Sequence, residues 1–106
     1  MSRLAALLGF LEDDPDDPFT RFALALEYVK EGQEESGLEV FESLVGDRPD
    51  YVGTYYHLAA LYRRLGNIES AKKTYELGIR EAVRQADRHS ESELRSAQME
   101  MEIEEP

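Results

Sequence analysis

The sequence predicts an all-α protein in which antiparallel helix-turn-helix repeats stack as a short α-solenoid without strands, and three observations carry that expectation. Residues 18–49 laid over residues 52–83, a shift of 34, give eight identities in 32 pairs, among them Leu24/Leu58, Ala25/Ala59, Tyr28/Tyr62 and Gly32/Gly66. Self-similarity at such a period marks stacked supersecondary units. Within each copy the apolar residues recur at three and four positions, the spacing of a helix face. Between them stand glycine-led stops, Gly32 and then Gly66 with Asn67, where one helix ends and the next is capped.

The elements follow in order. In residues 2–14, Leu4, Leu7 and Leu11 fall under Leu38, Phe41 and Val45 of the next helix pair, so this segment reads as a half-repeat helix. Its run "LAALLGFL" after Arg3 imitates a secretory signal but is short, lacks a cleavage site and meets "EDDPDD". That acidic run lacks the ligand alternation, glycine and distal glutamate of a calcium loop. Repeat 1, residues 18–49, opens with Asp17 as N-cap and Pro18 at the first helical position, and its first helix carries Leu24, Ala25 and Tyr28. Its second helix carries Leu38, Phe41, Leu44 and Val45 before "GDRPD" turns the chain.

Repeat 2, residues 52–83, repeats the scheme with a first helix from about Asp50 to Leu65 and a second bearing Ala71, Tyr75 and Ile79. No proline stops that second helix, so it is expected to run to about Asp87. Residues 84–103 then extend it or form a C-terminal capping helix, with Ser90 and Glu93 as a capping box and Leu94, Ala97 and Met101 as its apolar stripe. Its acidic end, Glu100 to Glu105, opposes the helix dipole and is expected to fray. The residues as spaced allow either a separate helix or one unbroken helix from Ile68, and the stripe could cover the first repeat's groove. One domain over 1–106 is the expectation.

At these residues the chain resembles the tetratricopeptide repeat family. Tyr55, Leu58, Ala59, Tyr62, Ala71 and Tyr75 match its pattern in the second copy, and Leu24, Ala25, Tyr28, Gly37, Phe41 and Pro49 in the first. Departures are Arg21 for the leading aromatic residue, Gly37 for alanine, Leu44 and Gly78 at the second small position, and Val83 for the closing proline. The resemblance implies a right-handed superhelix and a concave groove lined by the first helix of each pair, where a partner's peptide or helix lies. Carried onto this chain, the groove residues are Phe19, Phe22, Leu26, Val29 and Lys30 in the first unit and Tyr56, His57, Ala60, Arg63 and Arg64 in the second. The family's chaperone-tail receptors hold a terminal carboxylate across three units. Here Phe22, Leu26 and His57 occupy the corresponding positions and a third full unit is missing, so that activity does not transfer.

Function therefore reads as protein binding in that groove, with self-association into a homodimer through the same apolar face as the alternative. Arg63 and Arg64 suggest carboxylate recognition, or simple pairing with Glu27 or Glu31. Catalysis is not expected: His57 and His89 lie in different elements, no nucleophile elbow or phosphate loop occurs, and the chain has no cysteine. No metal, cofactor or small-molecule substrate is implied. The failed signal and the lack of any segment of membrane-spanning length make a cytoplasmic protein the expectation. The net charge of −11 disfavours nucleic acid and membrane surfaces and serves either solubility or attraction of a basic partner.

Overall fold

The structure, a computed structural model, describes residues 2–106. Among them are six helices and no strand: α1 Arg3–Asp13, α2 Pro18–Lys30, α3 Glu34–Asp47, α4 Gly53–Arg64, α5 Ile68–Arg84 and α6 Arg88–Glu104. The all-α class and the repeated helix pairs are those the spacing predicts. The chain divides into two compact units, one up to Tyr51 and one from Val52 onward.

In the first unit α1 packs on α2 and α2 on α3. Asp17 caps α2 by accepting the Thr20 amide at 3.1 Å. The helix ends at Gly32, whose φ of +82° suits a residue without a Cβ, and the Gln33 amide reaches back to the Tyr28 carbonyl at 2.8 Å. Leu7, Ala23 and Leu24 form a core cluster with Leu4, Leu11, Tyr28 and Val40 against it. Arg21, the departure from the repeat pattern, is buried all the same. Its guanidinium donates to Ser43 Oγ at 2.7 Å and to the Asp47 carboxylate at 2.8 Å, tying α2 to α3 with charge-assisted bonds where an aromatic ring would pack.

In the second unit α4 packs on α5, and α6 lies against both. Tyr55, Leu58, Leu61, Tyr75 and Ile79 are buried with Leu94, Ala97 and Met101 of α6. Two small residues set the closest approaches. Ala71 is fully buried, and a Cβ at Gly78 would stand 2.6 Å from Tyr55 Cβ and 3.1 Å from Leu94 Cδ1, so α4, α5 and α6 meet at this glycine. In the first unit the paired positions carry Arg21 and Leu44 where this unit has Tyr55 and Gly78, so a leucine takes the place of the glycine and a guanidinium that of the ring.

Several sequence expectations are corrected. α4 begins at Gly53, not near Asp50, because residues 48–51 form a turn that the Tyr51 amide closes on the Arg48 carbonyl at 3.0 Å. α5 ends at Arg84, not near Asp87: Ala86 adopts φ +56° and the Asp87 amide reaches the Ala82 carbonyl at 2.9 Å, the same closure that Gly32 and Gly66 make. α6 is therefore a separate helix, not a continuation of α5. Its cap is Asp87, which accepts the Ser90 amide at 3.1 Å and the Ser90 hydroxyl at 2.7 Å; Ser90 is the recipient of the cap and not the cap itself. A carboxylate three residues earlier is the stronger acceptor for the exposed amides. The acidic end is helical to Glu104, whose carboxylate accepts from Arg63 at 2.8 Å.

Candidate binding surfaces

Five residues of α2 were expected to face outward together, and the structure sorts them by what they touch. Phe19 is 68% exposed, while Phe22 and Leu26 are half-buried and Lys30 is exposed. These four line one open depression of about 320 Å³ with Ala23, Glu27 and, from α1, Arg3. Phe22 also belongs partly to the core, its ring centroid 6.1 Å from that of Phe41 and 5.8 Å from that of Tyr51, both tilted contacts. Val29 does not line the depression. It fills the space that Gly37 leaves, where a Cβ would stand 2.7 Å from Val29 Cγ2, so its role is the close crossing of α2 with α3.

The face of α4 is occupied differently. Tyr56 is exposed and lines a depression of similar size whose other walls, His89, Ser92, Glu93, Ser96, Ala97 and Glu100, all come from α6. His57 is half-buried with its ring 5.4 Å from that of Tyr56 in an edge contact. Burial lowers the imidazole pKa, with Glu93 partly offsetting it. Ala60 and Arg64 are exposed. Arg63 donates to Glu104 of α6 at 2.8 Å, and its guanidinium opposes the rise that burial gives the Tyr75 phenol pKa. Arg63 therefore pairs within its own unit, with neither of the acids first considered. Glu27 instead stands 3.9 Å from Arg3.

Sequence reasoning missed Arg3 and Glu27 as members of the α2 depression. The signal for Glu27 was present: 34 residues on stands Leu61, so one copy places a carboxylate where the other places a core leucine. No group of histidines and carboxylates among the described residues is arranged to hold a metal ion, and no helix among them is long and apolar enough to cross a membrane.

Comparison with known proteins agrees with this geometry. A tetratricopeptide repeat family profile matches residues 52–82. The crystal structure of a tetratricopeptide repeat domain protein from Salinibacter ruber is 46% identical, with a TM-score of 0.78 over 81% of this chain and 96% of that one. The solution structure of such a domain from the same organism gives 47% identity and a TM-score of 0.79 over 82% of this chain and 88% of that one. A Bordetella parapertussis protein shares the fold at 20% identity, with a TM-score of 0.84 over 98% of this chain and 90% of that one. Cellulose synthase operon protein C of Pseudomonas fluorescens (strain SBW25) is 34% identical over 70 residues, which are 66% of this chain but span only 6% of that protein. The chain belongs to the tetratricopeptide repeat family, whose repeats mediate contacts between proteins.

Proposed function

We propose that this chain is a non-catalytic interaction module that holds an extended or helical segment of another protein on the outward face of α2, the first helix of its first repeat. The observation that carries the reading is the α2 depression. Phe19, Phe22 and Leu26 present apolar surface beside polar groups at the rim, the composition of a small recognition site. An exposed aromatic residue next to a half-buried leucine gives a partner side chain area to cover at little entropic cost. On α4, Tyr56, His57, Ala60 and Arg64 supply a more polar surface, with α6 forming the opposite wall of the Tyr56 depression. Arg63 serves there by fixing α6 through Glu104.

The test is selection of displayed random peptides against the purified protein, repeated with Leu26→Glu. We expect an enriched family with a shared apolar anchor whose binding falls at least about tenfold in the variant, as for removal of a central contact. Peptides that bind both proteins equally, or no enrichment at all, would contradict a docking role for α2.

A further inference from the structure

We propose that the α2 depression receives a cationic side chain, arginine or lysine, from the partner segment, with the Glu27 carboxylate as its receptor and Arg3 as a weakly held internal occupant. This rests on the reading of α2 as a docking face and adds the chemistry of what docks.

Glu27 is only 5% exposed, yet it lines an open depression. Among the described residues its ion-pair partner is Arg3, whose Nε stands 3.9 Å away on a side chain 68% exposed. That separation is beyond hydrogen-bonding reach, so Arg3 holds the carboxylate only as a loose pair at the wall of the depression. The fold does not require an acid here, since the equivalent position in the second repeat is Leu61, buried in the core. A carboxylate that lines an open depression, loosely paired, where the other copy has leucine is placed to receive a cation.

The walls suit such a guest. Phe19, Phe22 and Leu26 offer apolar surface for the aliphatic stem of a long cationic side chain, and exposed aromatic faces attract its charged head. At about 320 Å³ the depression lies at the small end of ligand sites, sized for a side chain more than for a cofactor. Charge acts in the same sense over a longer range. Residues 1–51 hold 13 acidic and 4 basic side chains, a net −9, whereas residues 52–106 hold 10 and 8, a net −2. Arg3 and Lys30 in the lining both oppose a further cation locally, so the guest has to displace Arg3, while the net −9 of residues 1–51 favours its approach at low salt.

The experiment is NMR titration of the whole chain with Nα-acetyl-arginine amide, the neutral Nα-acetyl-norleucine amide and Nα-acetyl-glutamate amide. The arginine probe should shift Leu26 methyl and Phe22 ring signals saturably, roughly tenfold more weakly after Glu27→Gln, because a buried charge loses its partner. Arg3→Ala, at an exposed residue, should tighten it by about threefold by removing the competitor. Equal binding of the norleucine probe, preference for the glutamate probe, arginine shifts indifferent to Glu27→Gln, or weaker binding in Arg3→Ala would each overturn the proposal. In all of these cases peptide selection can still map to α2, so the docking reading stands or falls separately.

Discussion

Gly78→Ala tests the packing of the second unit, because two effects of known size oppose each other there. In a helix interior alanine is favoured over glycine by about 1 kcal/mol. Against this, the new methyl would stand 2.6 Å from Tyr55 Cβ and 2.9 Å from Tyr55 Cγ, atoms at the root of a buried ring that cannot swing away. Leu94 Cδ1 at 3.1 Å closes the third side. Overpacking of this kind costs about 1 to 3 kcal/mol. Gly9→Ala is the control, since that glycine is also helical and nothing lies within 4 Å of its added Cβ. Subtracting the two variants cancels the propensity term and leaves the steric one, so Gly78→Ala should be less stable than Gly9→Ala by about 1 to 3 kcal/mol. Urea unfolding followed by circular dichroism measures the difference. Equal midpoints, or a Gly78→Ala protein more stable than the parent, would refute the three-helix contact.

Other sites give independent checks. Thr54 is 0% exposed and its hydroxyl has no hydrogen-bond partner among the described residues, whereas Thr20 at the matching position bonds Asp17; Thr54→Val should therefore raise stability by about 1 kcal/mol in the same unfolding assay. Ala86→Gly at φ +56° removes a left-handed penalty of about 1 to 2 kcal/mol and adds back about 0.5 to 1 in chain entropy, so a higher thermal midpoint is expected. His57, lowered by burial below 6.5, binds its proton first in the unfolded chain. Its contribution is complete above pH 6.5 and is lost as pH falls from there to the folded pKa, and His57→Gln should flatten the stability profile across that window.

Much of the fold was legible because the repeat reports itself twice. Tyr28 with Gly32 and Tyr62 with Gly66 mark the same helix end in two copies, and their backbone closures match in the structure. The end of α5 was not legible, since Ala86 performs the turn without the glycine that usually announces it. The binding surfaces were harder still. Helical spacing places Val29 and Leu26 on one face, but only packing shows that Val29 is consumed by the gap at Gly37. Arg63 appears in sequence as an available cation, and its pairing with Glu104, 41 residues away, depends on where α6 comes to rest.

The central claim is that the α2 face serves a partner and not a second copy of this chain. Light scattering over a wide concentration range, at low and high salt, tests it most directly on the parent and on Leu26→Glu. The account predicts the 12.1 kDa monomer mass for both proteins throughout. A stable dimer that Leu26→Glu dissolves would contradict it and make α2 a self-interface.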